Sequence, residues 1–366
     1  MKREAIAAGV DVIDFGVGDP DTPTPDFIVD ALVKAARDPA CHRYPTGAGT
    51  ATFREACKAF LKRRFDVTLN DDRQLTALIG TKEGIGHLPM AVVNPGEHVL
   101  IPDPGYPVYT AGTIFAGGVP HAMPLSVESH WLPDFEAVPG DVARNAKLMF
   151  LNYPNNPTGA VTDRRFFERA LRFARRYDIL IAHDAAYSEL YFDSKPPSIL
   201  ELDGAFDYAC EFHSLSKTFN MTGWRIGFAV GNADAVGALA KVKDNVDSGP
   251  FNAIQSAAAE ALNHMDHVSV RAMTDIYRER RDIVVDALRT MGISVDTPQA
   301  GFYVWAKCPD GYTSMEFAAK ALKGAGVVVI PGIGFGRSGE GYFRIALTVD
   351  ADRTRRGLER LNEITW

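Results

Sequence analysis

Short apolar runs alternate with amphipathic stretches along most of this chain, and that alternation sets the first expectations. Residues 99–102, 147–151, 179–182, 208–212 and 224–230 are too short for helices and apolar enough to be buried strands. Residues 26–37 read as a helix with Phe27, Ala31 and Val33 on one side, and 51–65, 163–177 and 233–246 as further helices. From 266 to 291, Val270, Met273, Ile276, Ile283, Ala287 and Met291 recur at helical spacing, predicting a long helix that leads from a large domain into a smaller one. The smaller domain reads as mixed, with strands over 301–306, 327–330 and 342–347 and a helix over 314–324. In open sheets built this way, ligands collect at the carboxyl ends of the strands.

Composition narrows the function classes. With 366 residues the chain has room for about two domains. Its net charge of −7 excludes the basic surface that non-specific nucleic-acid binding needs. No apolar run approaches the ~20 residues of a membrane span, and nothing at the start reads as a signal peptide. Cys41, Cys57, Cys210 and Cys308 are widely spaced, without a C-x-x-C pair or zinc-finger spacing. They are expected to be reduced thiols of a cytoplasmic enzyme that holds no metal.

The chemistry concentrates in residues 211–231. Lys217 lies between two apolar runs, where partial desolvation lowers the pKa of an amine toward nucleophilic use. Ser214 and Ser216 flank it, and Arg225 is expected to open the strand 224–230, where an anion is its natural partner. Together they read as a phosphate cup beside a lysine of the Schiff-base type, which is the chemistry of pyridoxal phosphate. Taken alone, Lys217 is as well explained as a surface lysine in a hydroxyl-rich loop. Gly80-Thr81-Lys82 opens a helix, whose free N–H groups make a second anion site or merely a cap. Asp184 ends an apolar strand, where a carboxylate needs a partner; a protonated pyridine nitrogen would serve, and a helix N-cap is the alternative. Pro331-Gly-Ile-Gly-Phe-Gly336 is glycine-rich but lacks phosphate-loop spacing.

These residues resemble the lysine signature of the class I/II aminotransferases, which are fold-type I pyridoxal phosphate enzymes. The likeness spans about residues 10–350, with the motifs in the family's order. It implies an α/β, aspartate-aminotransferase-like fold: a large domain at 41–264 with a mostly parallel seven-stranded sheet, and a smaller α+β domain of 1–40 and 265–366, linked by the helix 265–291. It also implies residue roles. Lys217 carries the cofactor, and Asp184 pairs with the ring nitrogen. Tyr106 of Asp103-Pro-Gly-Tyr106 stacks on the ring, while Asn156 of Asn-Pro-Thr-Gly159 and Tyr187 donate to the ring oxygen. Gly80, Thr81, Lys82, Ser214, Ser216 and Arg225 hold the phosphate. Tyr44, in a Tyr-x-x-x-x-Gly pattern, reaches the phosphate of a neighbouring subunit, so the active form would be a homodimer. Arg344, central in a strand, grips the substrate's α-carboxylate with Gly18 and Asn156 nearby.

More narrowly, the wording of Gly16-Val-Gly-Asp-Pro-Asp-Thr-Pro-Thr-Pro25, His183-Asp-Ala-Ala-Tyr-Ser-Glu-Leu190 and residues 212–225 is similar to the LL-diaminopimelate aminotransferases. That group uses glutamate as amino donor on the route to lysine. An aspartate, alanine or other amino-acid aminotransferase, or a carbon–sulfur lyase on the same fold, would use the same cofactor residues. The group also carries a longer N-terminal arm that lids the substrate pocket. This chain starts at the helix after that arm, which implies either a shortened start or a pocket without the lid.

Overall fold

The computed structural model describes residues 1–365. Seven strands form one sheet in the order Leu75–Leu78, Gly227–Gly231, Ala209–Ser214, Leu180–Asp184, Ala146–Asn152, His98–Asp103 and Val119–Pro124. All run parallel except Gly227–Gly231, which is antiparallel to both neighbours. The expected mostly parallel seven-stranded sheet is thus present. The inner strands are buried on both faces, so they appear in sequence as unbroken apolar runs.

Each face has its own core. Leu148, Phe150 and Ala182 pack on one side with Leu88, Tyr109 and Leu239. Met149, Leu151 and Ile181 alternate to the other side and meet Phe166, Phe167, Phe173 and the helix Ala51–Phe65. The helix Arg164–Tyr177 shows how local signals set that packing. Asp163 caps its start by accepting from Phe166 N–H at 2.9 Å, and Phe166, Phe167, Ala170, Leu171, Phe173 and Ala174 share its buried stripe. Burying each of the phenylalanines contributes roughly 1.5–3 kcal/mol.

A further core surrounds the three-stranded antiparallel sheet Ile330–Pro331, Tyr342–Ala346 and Tyr303–Lys307. The helix Val268–Thr290 bridges two cores: Val270 and Met273 belong to that of Phe166 and Phe167, Tyr277, Val284 and Leu288 to this one. Two expectations change here. The single strand 327–330 divides, with Val327–Val328 pairing parallel to Ile13–Asp14 and Ile330–Pro331 joining the antiparallel sheet. The helix Asp26–Ala36 packs on Asn252–Asn263 and turns Ile28, Phe27, Ala31 and Leu32 inward, leaving Val33 exposed.

Candidate active site

Asn152, Asp184 and Ser214 end three adjacent strands at their carboxyl ends, Asn152 in register with Asp184 and Ser214 two residues beyond Phe212, the partner of Asp184. The chain around them forms a cleft of about 640 Å³ lined by Gly18, Thr81, Lys82, Tyr106, Asn156, Asp184, Tyr187, Ser214, Ser216, Lys217, Arg225 and Arg344. Gly80 adjoins through Arg225: a Cβ there would meet the guanidinium Nη2 at 2.3 Å. Tyr44 alone of the expected residues is elsewhere, 92% exposed on the surface.

Arg225 does not open a strand. It follows the short turn Thr222–Trp224 in the left-handed region, φ +58°, and the strand begins two residues later at Gly227. This turn takes the side chain out of the sheet, so that it lies against Gly80 and donates to the Thr222 carbonyl at 2.8 Å. Gly80, φ +86°, is the N-cap of the helix Thr81–Val92, and the buried Thr81 is that helix's first residue.

Asp184 is 5% exposed, and among the described residues its carboxylate has two hydrogen-bond donors: Tyr109 Oη–H at 2.9 Å and Ala186 N–H at 3.2 Å. Neither is a cation. Burial raises this carboxyl above the ordinary range against the pull of both donors. Lys217 donates to the Gly18 carbonyl at 3.0 Å and lies 5.3 Å from the centroid of the Phe302 ring. Burial lowers its ammonium to about 8, with Arg225 and Arg344 adding to the shift and Asp19 opposing it. Tyr106 is pushed up to about 12, chiefly by burial.

Arg344 lies between the rings of Tyr303 (4.1 Å) and Phe335 (4.8 Å), and donates to Asn156 Oδ1 and the Gly16 carbonyl, each at 2.8 Å. Its buried Nε has no partner among the described residues. With Oδ1 of Asn156 turned to Arg344, the amide nitrogen of that side chain is left for the cleft. Lys217, Arg225 and Arg344 therefore share one cleft, and none is paired to a carboxylate among the described residues.

Sequence reasoning missed two residues here. Tyr109 is fully buried, stacked on Phe150 at 4.7 Å, and holds Asp184. Its signal was available, since it follows Tyr106 by three residues at the start of the helix Val108–Phe115. Tyr303 lines the cleft, stacks on Arg344 and places its hydroxyl 3.2 Å from that of Tyr187. Nothing in the strand pattern distinguished it from a core aromatic.

The family model for aminotransferase class I and II matches residues 10–361. The chain belongs to this family. A relative named LL-diaminopimelate aminotransferase, from Syntrophobacter fumaroxidans, is 52% identical over 367 residues, covering 100% of this aminotransferase and 94% of the relative. Among solved structures, substrate-bound BacF from Bacillus subtilis is 40% identical with a TM-score of 0.94, covering 97% of this chain and 91% of that one. A double mutant of Thermus thermophilus aspartate aminotransferase is 28% identical with a TM-score of 0.92, covering 99% and 94%. Class I and II aminotransferases work with pyridoxal 5'-phosphate, and that is the cofactor of this aminotransferase.

The cleft fits that group on three counts. Asp184 is a buried anion without a cation, as a protonated pyridine nitrogen requires. Gly80 leaves the space into which the Arg225 guanidinium fits, at a helix start suited to a phosphate. Lys217, Arg225 and Arg344, none with a carboxylate partner among the described residues, suit a phosphate and a substrate carboxylate together. No helix among the described residues is long and apolar enough to cross a membrane.

Proposed function

We propose that this aminotransferase interconverts LL-diaminopimelate and tetrahydrodipicolinate, with glutamate and 2-oxoglutarate as the other pair, in lysine biosynthesis. The observation that carries the substrate assignment is 52% identity, along the entire chain, to a protein named for that reaction.

The roles follow from the cleft. Bound there, pyridoxal phosphate supplies a carbonyl that captures amines and a ring that withdraws electrons from the neighbouring carbon. Asp184 serves as the anion for the ring nitrogen, held in place by Tyr109. Tyr106 would pack against the ring, and Asn156 and Tyr187, which line the same cleft, would donate to its oxygen. Thr81, Ser214, Ser216 and Arg225 hold the phosphate, with Gly80 and Lys82 at the same helix start. Arg344 would offer its planar fork to the substrate's α-carboxylate, with the rings of Tyr303 and Phe335 packed against the guanidinium. That grip orients the bond to be broken. Lys217, poised near pH 8, would take the α-proton at Nζ and pass it on to the cofactor's carbon within the same half-reaction, the reverse half-reaction running that transfer backwards.

Tyr44 completes the phosphate site of a second copy, which gives an exposed tyrosine a purpose and makes the working form a homodimer in the cytoplasm. The chain divides into a large unit, 41–264, and a small unit, 1–40 with 265–366. Separate cores bridged by the helix Val268–Thr290 support a large and a small unit, while the helix Asp26–Ala36 packs into the core of the large one.

The test is a half-reaction. The protein is loaded with pyridoxal phosphate, and its visible band is followed as LL-diaminopimelate, glutamate, aspartate or alanine is added separately. Rapid bleaching by the first two, reversed by 2-oxoglutarate, is expected. Bleaching by aspartate or alanine alone would discard the substrate. Lys217→Ala should lose both the band and turnover; a parent-level rate in that variant would remove Lys217 from its role.

A further inference from the structure

Lys243 is a lysine with no exposed side-chain surface, on the helix Ala233–Val246 and outside the cleft lining. Its ammonium pairs with Glu83 Oε1 and with both carboxylate oxygens of Asp247, at 3.1 and 3.2 Å. Glu83, His87 and Asp247 bring possible ligand atoms within 4.8 Å of one another, a spacing that would suit a metal ion. The ammonium of Lys243 already binds both carboxylates of that group, so the charge that a metal would bring is supplied from within the chain.

The cluster lies directly beneath the phosphate turn. Glu83 is the third residue of the helix that Gly80 caps, and its Oε1 reaches back to accept the Ile79 N–H at 3.1 Å. This bond holds Ile79-Gly80-Thr81, the turn on which Arg225 rests. Its other oxygen, Oε2, lies 3.1 Å from His87 Nδ1. A carboxylate suits a helix start, but it opposes a second anion at the same place. Buried carboxylates without a cation are costly, and here two of them converge on one ammonium.

We propose that Lys243 is a positioning residue for the cofactor's phosphate: it fixes Glu83, and thereby the turn Ile79-Gly80-Thr81, and cancels the negative charge that Glu83 brings to that turn. The assignment rests on the reading of Gly80, Thr81 and Arg225 as phosphate ligands.

Dissociation constants for pyridoxal phosphate and for pyridoxal, which lacks the phosphate, are measured by equilibrium fluorescence on the full chain. Lys243→Met should weaken pyridoxal phosphate about tenfold and leave pyridoxal within about threefold, the scale of one charged hydrogen bond lost from the turn. Glu83→Gln keeps an oxygen for Ile79 and removes the charge, so Glu83→Gln combined with Lys243→Met should recover most of the lost affinity. Equal weakening of both ligands, or no recovery in the double variant, would overturn the proposal. If Lys243→Met does not fold, Glu83→Ala against Glu83→Gln decides: only the alanine should lose affinity, and only for the phosphorylated ligand. A parent chain that binds both ligands equally would overturn the phosphate reading itself, and this assignment with it.

Discussion

Two carboxylates buried in the same sheet have opposite surroundings. Asp184 ends the strand Leu180–Asp184 on the cleft side, while Glu211 lies one strand over on the opposite face, beside His183. Glu211 accepts four hydrogen bonds at 2.7–3.1 Å, from Ser198 Oγ, Ile199 N, His183 and His213. Burial pushes its carboxyl up, but these donors more than offset that and hold it well below the ordinary range. Asp184 has two donors, no cation, and a carboxyl raised by the same burial. The chain satisfies one buried charge completely and leaves the other for a cation from outside. The difference separates a structural acid from a functional one, although both are equally hidden from water.

Three substitutions would break or sharpen that contrast. Asp184→Asn should reduce turnover on the order of 10³-fold, because the ring nitrogen loses its anion. The cofactor-free chain should nevertheless gain about 1 kcal/mol in urea unfolding, because an ionised carboxylate is no longer buried without a cation. A cofactor-free chain that lost stability would mean that Asp184 is satisfied from within. Glu211→Gln should do the reverse, costing roughly 3 kcal/mol of stability while the bound-cofactor band survives. Its sign with pH is fixed: a carboxyl depressed in the folded state stabilises fully above its ordinary value of 4.5, and that contribution fades as pH falls below it. The parent's acid-side loss of stability should therefore be steeper than the variant's, and parallel curves would discard the description of Glu211 as a carboxylate held by its four donors. The smallest effect belongs to Tyr109→Phe, which removes one donor from Asp184 and keeps the stacked ring. A weakening of pyridoxal phosphate by about tenfold, with unfolding almost unchanged, is expected. A cofactor dissociation constant equal to the parent's would leave Tyr109 as packing alone.

Much of this was legible in the sequence, for a physical reason. Strands buried on both faces must be apolar throughout, so the five runs from residue 99 to residue 230 declared themselves, and the polar residues interrupting or ending them marked the site. Lys217, Asp184 and Arg344 were conspicuous because charge in such places needs an explanation. What stayed hidden depends on long-range closure. The left-handed turn at Arg225 carries its guanidinium to Gly80, a distant contact that local propensity does not register. The division between Val327–Val328 and Ile330–Pro331 depends on which edge each segment meets. Glu211 finds His183 only because their strands are neighbours. Tyr303 reads as an ordinary core aromatic until the fold places its hydroxyl in the cleft beside Tyr187.

The contact between Gly80 and Arg225 has a consequence for how this protein can drift under mutation. Any side chain at position 80 would occupy the space now filled by the guanidinium, as the 2.3 Å approach of a Cβ shows. A change at 80 is therefore felt at 225, although the two positions are far apart along the chain and belong to different elements. Position 80 is held to glycine both by its φ of +86° and by the guanidinium, so a library that randomises 80 while keeping Arg225 should return glycine.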